Sequence, residues 1–480
     1  MHINTPSQAR DAEGTRPNAV LVLVCAAAFM VVLDTTTVVT ALPSITRDLG
    51  LDVAGAQWVV VGYTVCYGSL MLVGGRLADL YGRRRIFVGS VAAFVAASAA
   101  CGFASTAGWL IGARVAQGIS AAVVVPASLS LVVATFAEGS RRNRAMGIWN
   151  AIAGAGGTLG LLVGGPLTDG PGWRWIFFLN VPLGAAALAL SPVVLPPTTR
   201  AQGVRMDLPG GASATGALLA LVYGLSRLPD TGWSDALTIG ALLSATALAA
   251  LFVRTERRAI QPLVPFRLLR NRAVVGGNLV LVVTGAAAGF FFTFSLFAQQ
   301  VLGYSASQFG LATVATGATS VIVGLVAHSL VTRWGSRMVV CNGLLALAAA
   351  MALLARTPAR AGYAQHLLVP LLLAGIGIGV CGVAASIAAL AGVSEHDAGV
   401  ASGIEESTWA VGEPLGVVAM ATVAAVVTSA RLDDGAAEIA ARASGYRASF
   451  VVAAALCVAG VAVASALLPG RVGTSNLGEP

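Results

Sequence analysis

Four acidic residues, Asp34, Glu405, Glu406 and Glu413, stand inside runs of apolar sequence long enough to cross a bilayer. One arginine, Arg114, does the same. The other acids among the 21 of this chain fall mostly in connecting segments or tails. A charged side chain at the centre of a membrane helix costs roughly 2.5–3.5 kcal/mol even on insertion scales, so each of these positions needs a compensating use. A carboxyl group in an apolar surrounding can be tuned to take up and lose a proton in the physiological range, which lets it carry a proton or neutralise a cationic ligand. Glu406 and Glu413 are seven residues apart, close to two helical turns, which puts them on nearly one face about 10 Å apart. For Asp34 the alternative is a packing role, hydrogen-bonded to Thr35–Thr37 or to another helix. For Glu405 and Glu406 it is a structural role facing a water-filled vestibule. A buried arginine needs a partner, so Arg114 pairs with one of these acids or with backbone carbonyls.

The elements that must position these groups are membrane helices. The chain is 57% hydrophobic and 10% charged over 480 residues, far more apolar sequence than one soluble core needs. Approximate spans are 19–42, 57–77, 86–106, 109–133, 145–167, 175–195, 208–228 and 236–253, then 273–301, 307–332, 338–356, 366–391, 402–428 and 449–468. The pair at 208–253 is joined by Pro229-Asp230-Thr231-Gly232-Trp233. The first apolar run continues through Asp34 to Leu42 without a small-residue cleavage site, so it reads as a membrane span and not as a removable leader. The 29 basic residues are all arginine. Of those outside the spans, 19 fall on one side, among them Arg83–Arg85, Arg141, Arg142 and Arg144, and eight on the other, Arg47, Arg174, Arg227, Arg356, Arg360, Arg431, Arg442 and Arg447. That bias places both termini in the cytoplasm and accounts for the positive charge without a nucleic-acid partner.

Gly75-Arg76-Leu77-Ala78-Asp79-Leu80-Tyr81-Gly82-Arg83-Arg84-Arg85 reads as a charged, glycine-punctuated loop between the second and third spans. It resembles the signature loop of the major facilitator superfamily. His328–Arg337 repeats it faintly after the tenth span, with Gly335 at the place of Gly82 and Thr332 at that of Asp79, as two related halves would require.

Further segments resemble one branch, the fourteen-span drug:proton antiporters. Leu33-Asp34-Thr35-Thr36-Thr37-Val38-Val39-Thr40-Ala41-Leu42-Pro43 is similar to that branch's first-span motif, with Val39 in place of the usual asparagine. Arg114-Val115-Ala116-Gln117-Gly118 matches the R-x-x-Q-G motif whose arginine the family links to proton coupling. Trp173–Pro182 and Gln300–Ser305 match its sixth-span start and its connection between spans nine and ten. Gly156, Gly160, Gly164 and Gly165 keep the spacing of the antiporter motif, although Leu161 stands where a proline is usual and Pro166 follows instead. The pattern around Gly399–Ile404 and Leu415–Val417 resembles the thirteenth span, which normally has asparagine at Glu406 and glycine at Glu413. These two acids are therefore candidates for substrate selectivity.

The resemblance implies an all-α membrane protein with the major facilitator fold: two six-helix bundles plus two inserted helices, 14 transmembrane helices in all. The corresponding segments are a cytoplasmic tail at 1–18, an N-terminal bundle at 19–195, inserted helices with linkers at 196–272, a C-terminal bundle at 273–468 and a tail at 469–480. It implies proton-coupled efflux of lipophilic, cationic or other drugs across a bacterial cell membrane by alternating access. Asp34, Arg114, Glu405, Glu406 and Glu413 would handle proton and substrate, and Gly75, Asp79, Gly82, Arg83 and Arg84 the conformational change. The alternatives are a nutrient symporter or an exporter of one endogenous metabolite. Phe290, Phe294 and Phe297, in a phenylalanine-rich ninth span, would line a substrate pocket or pack the core. The expected partners are a small molecule, protons and the lipid bilayer, with the chain a monomer. The proton gradient is the driving force, with no cofactor.

No Ser/His/Asp set, phosphate-cradling glycine loop or metal-ligand spacing is present, which argues against an enzyme. The four histidines, His328 among them, show no zinc pattern. The six cysteines (Cys25, Cys66, Cys101, Cys341, Cys381, Cys457) lie in apolar segments as small packing residues without disulfide pairing.

Overall fold

Backbone polar groups buried in hydrocarbon have no water to bond, so a long apolar run in lipid closes its hydrogen bonds within a helix. The computed structural model describes residues 17–136, 140–195, 208–259, 262–393 and 398–469, for a few of which, Asp79 among them, only the backbone is described. The tails 1–16 and 470–480 and the linker 196–207 lie outside these residues. The elements run α1 (Pro17–Leu49), α2 (Val53–Tyr81), α3 (Arg83–Gly102), α4 (Ala107–Thr135), α5 (Ser140–Asp169), α6 (Trp175–Phe178) and α7 (Asn180–Val194). They continue with α8 (Leu208–Thr231), α9 (Ala236–Arg258), α10 (Arg272–Ala288), α11 (Phe290–Leu296), α12 (Ala306–Trp334), α13 (Ser336–Leu354), α14 (Leu368–Ala389), α15 (Ala398–Asp433) and α16 (Glu438–Leu467). Among the described residues, 12 segments are long and apolar enough to cross a membrane. Two more long helices, α5 with 30 residues and α8 with 24, pack alongside them.

The helices α1 to α7 pack on one another as one half and α10 to α16 as the other, while α8 and α9 pair and α8 lies against both α2 and α15. The halves meet along α2 with α15 and α5 with α12. Gly82 (φ 94°) and Gly335 (φ 83°) each form the sole link between two helices, α2–α3 and α12–α13. A positive φ suits glycine because it has no Cβ. The faint internal repeat is thus matched in backbone shape.

The structure corrects the reading of Gly75–Arg85 as a loop. The α2 helix continues through Tyr81 and α3 begins at Arg83, so the turn is Gly82 alone. Nothing between Arg76 and Tyr81 breaks a helix, since arginine, leucine and alanine all favour it. Gly75 sits inside the helix, where a Cβ would meet only Pro126 at 3.6 Å. Other spans extend or bend beyond the apolar runs: α16 starts at Glu438, and the ninth span breaks at Gly289 between α10 and α11.

At the end carrying Leu49 and Asp169, termed distal, the halves are tied by hydrogen bonds. Ser295 Oγ donates to the Val39 carbonyl at 2.6 Å and Gln299 Nε2 to the Thr40 carbonyl at 2.9 Å. The Asp169 carboxylate accepts from the first amides of α12, Ala306 N at 3.2 Å and Ser307 N at 2.8 Å. An anion at a helix N-terminus also meets the positive end of the helix dipole. Asp169→Asn removes that charge from an exposed position, a loss of about 1 kcal/mol after solvent screening. Hydrogen exchange at Ala306 and Ser307 is expected to accelerate about fivefold in the variant; unchanged protection there would show that the carboxylate does not hold the distal end shut.

Candidate functional site

Asp34 lies near the middle of α1 and is wholly excluded from solvent, as is Arg114 of α4. Arg114 Nη1 stands 2.6 Å from Asp34 Oδ2, and Arg114 Nε donates to the Val59 carbonyl at 3.0 Å. Both partners expected for this arginine, an acid and a backbone carbonyl, are therefore in place. The other carboxylate oxygen, Oδ1, accepts from Gln117 Nε2 at 2.8 Å and Asn180 Nδ2 at 2.7 Å. Gln117 Oε1 accepts from Arg114 Nη1 at 2.7 Å. Ser98 Oγ accepts from Gln117 and Asn180 and donates to the Phe177 carbonyl at 3.0 Å. The guanidinium carbon lies 4.1 Å above the Tyr63 ring centre, so the ring face supports a charge whose Nη2 has no hydrogen-bond partner among the described residues.

This cluster joins six helices, α1 through α4, α6 and α7. The Asp34 carboxyl oxygens accept from three N–H donors, one on Arg114, one on Gln117 and one on Asn180. Of the two packing partners read for Asp34, other helices bond its carboxylate, whereas Thr37 donates to its backbone carbonyl. Gln117 and Asn180 belong to motifs visible in the sequence, yet their role was not separable there from packing. Ser98 gave no signal beyond being a polar residue in an apolar run.

The α15 acids are separate from this cluster and only partly buried. Ser386 Oγ donates to Glu405 Oε1. Glu413 lies within electrostatic reach of Arg114, and Tyr67 within reach of both Glu406 and Glu413. Tyr67 stacks on Tyr63 with 5.9 Å between ring centres. The electrostatic influence of the α15 acids thus extends to Arg114, Tyr63 and Tyr67 of the other half. Pro414, directly after Glu413, leaves the Ala410 carbonyl without its helical donor.

Phe290, Phe294 and Phe297 are fully buried at the distal closure. Phe294 packs on Phe309 and Phe297 on Phe450, ring centres 5.7 and 6.0 Å apart. In this conformation they seal the distal end. The Asp79 side chain lies outside the described residues, and Arg84 Nη2 donates to the Pro192 carbonyl at 3.3 Å. Gly82 supplies the turn beside Arg83.

The glycine stripe of α5 explains how α1 is held. A Cβ on Gly160 would stand 2.0 Å from Thr36 Oγ1 and 2.7 Å from the Leu33 carbonyl, on either side of Asp34 in sequence. Gly156 and Gly164 face Phe29–Val32 and Thr37–Thr40 in the same way, and Gly165 faces Ser307 of the other half. Gly160→Ala is expected to lower stability by about 1–3 kcal/mol through overpacking. Gly157→Ala, whose Cβ would meet only Val32 at 3.9 Å, is expected to melt like the parent. Thermal unfolding of the two variants in detergent checks this, and equal melting of Gly160→Ala would contradict the close packing.

The profile described as Major Facilitator Superfamily matches residues 24–417 and again 279–478. The chain is 39% identical over 457 residues to the puromycin resistance protein pur8 of Streptomyces alboniger, covering 93% of this chain and 90% of that one. It is 39% identical over 472 residues to the cephamycin export protein CmcT of Amycolatopsis lactamdurans, covering 96% and 94%. A crystal structure of a bacterial homologue of the human lysosomal transporter Spinster, inward-facing and unoccupied, shares the fold with a TM-score of 0.65 at 18% identity, covering 96% of this chain and 99% of that one. With the paired halves, the Gly82 and Gly335 turns and these matches together, the chain belongs to the Major Facilitator Superfamily.

Proposed function

We propose that this protein exports lipophilic, antibiotic-like molecules from a bacterial cell in exchange for protons. Its fourteen spans would place both termini, and the end opposite the distal closure, in the cytoplasm. The arginine bias of the connecting segments supports that orientation. Puromycin resistance and cephamycin export are the roles named for two relatives matched over nine-tenths or more of their length.

The observation that carries the reading is the contrast between one sealed acid and a half-buried acidic face. Asp34 is excluded from solvent and fully bonded, whereas Glu406 and Glu413 are half-buried on α15. In this account Glu413 and Glu406 attract a cationic group, and the Tyr67 ring offers it an aromatic face. When the distal end opens and a proton reaches Asp34, Arg114 loses its counter-ion. The guanidinium then draws on Glu413, the next acid within reach, and weakens that residue's hold on the substrate. Deprotonation towards the cytoplasm restores the Asp34–Arg114 pair and frees Glu413 to bind again. Proton and substrate thus compete through one arginine, the differential binding that exchange requires.

In proteoliposomes with an imposed pH gradient, lipophilic cations are expected to move against the direction of proton flow. Co-directional movement would identify a symporter. Glu413→Gln is expected to slow cation transport about tenfold, the size of one partly desolvated charge pair, while transport of neutral compounds is preserved. Equal loss on both classes would remove Glu413 from substrate recognition.

A further inference from the structure

A cavity of about 570 Å³ lies outside the site described above, at the proximal end between α1, α4 and α5. Its apolar lining includes Leu21, Phe136 and Ile148, and its polar lining includes Asn18, Arg141 and Arg144. The neighbouring Arg142 is engaged elsewhere: its Nε donates to the Phe136 carbonyl at 3.0 Å and its Nη2 to the Val133 carbonyl at 3.3 Å, closing the end of α4. Arg141 and Arg144 make no hydrogen bond or ion pair with the described residues and are exposed. They sit where the apolar runs of α1, α4 and α5 begin or end, which is the level of lipid headgroups.

We propose that this cavity binds an anionic phospholipid, with its phosphodiester on Arg141 and Arg144 and an acyl chain along Leu21 and Ile148. Charge complementarity selects an anion, and guanidinium groups suit phosphate oxygens through paired N–H donors. The apolar floor selects an amphiphile over a free ion. A bound lipid would bridge α1, which carries Asp34, to α5, which carries the glycine stripe and meets the other half. The lipid therefore holds together the proximal ends of the helices that must shift when the halves rock. Placement in the inner leaflet rests on the orientation proposed above, but binding itself does not, so the two can fail separately.

The test is native mass spectrometry, with thermal melting, of full-length protein in phosphatidylcholine nanodiscs with and without phosphatidylglycerol. The parent is expected to retain one phosphatidylglycerol and to melt higher in its presence. The R141Q/R144Q double variant is expected to bind it roughly thirtyfold more weakly, from the loss of two interfacial cations, and to melt like the parent in phosphatidylcholine alone. Ile148→Trp, which fills the apolar floor and keeps both charges, is expected to lose the lipid as well. Equal phosphatidylglycerol retention by the parent and either variant would overturn the proposal. So would inorganic phosphate raising the melting temperature as the lipid does, because the site would then be one for a soluble anion.

Discussion

The Asp34–Arg114 pair constrains the rest of the N-terminal half. Two charges sealed from solvent are tolerated only with close geometry and with their remaining donors and acceptors met, and breaking such a pair costs about 3–5 kcal/mol. Here the pair is bonded further by Gln117 one turn along α4, Asn180 on α7 and the Val59 carbonyl on α2, while Ser98 on α3 holds the two amides and the Tyr63 ring faces the guanidinium. Each of these helices must hold its register for the cluster to close. The pair is therefore the organising contact of the half and, among the described residues, its fully buried ion pair.

Close backbone approach lets a mobile protein carry that cluster. Without a hydrophobic force between helices in lipid, small residues and van der Waals contact drive their association. Along α5, glycine brings the backbone directly against Leu33–Thr40, so the Asp34 segment is braced without bulky side chains that would have to repack on motion. The same logic serves across the halves, where Gly165 meets Ser307, Gly310 meets Leu161 and Gly68 meets Ala410. Smooth surfaces at these crossings suit sliding or rocking. The distal hydrogen bonds from Ser295, Gln299 and the α12 amides then select one of the two closed ends.

Much of this was legible in the sequence because a membrane imposes simple rules. Apolar runs of bilayer length marked the helices, and an acid or arginine inside such a run marked the site. The partner of Arg114 was named as a class, acid or carbonyl, and both occur. The long-range choice of Asp34 over the α15 acids could not be read, since it depends on how α1 and α4 cross. Gln117 and Asn180 stood in visible motifs, but a neutral amide in a helix gives no cost large enough to single it out. The Gly75–Arg85 segment misled because its charge and glycines suggest a loop, whereas local propensity carries the helix on to Gly82. Phe290, Phe294 and Phe297 fit either a pocket or a seal by sequence, and only the packing of Phe309 and Phe450 around them decides for this conformation.

The central claim is that a proton on Asp34 and a substrate on the α15 acids exclude each other through Arg114. The most direct measurement is proton release from purified, weakly buffered protein when a lipophilic cation is added, followed with a pH-sensitive dye and compared with Asp34→Asn. Release is expected from the parent and none from Asp34→Asn, although that variant still binds the cation. Undiminished release from Asp34→Asn would contradict it, because the exchanged proton would then reside on another group.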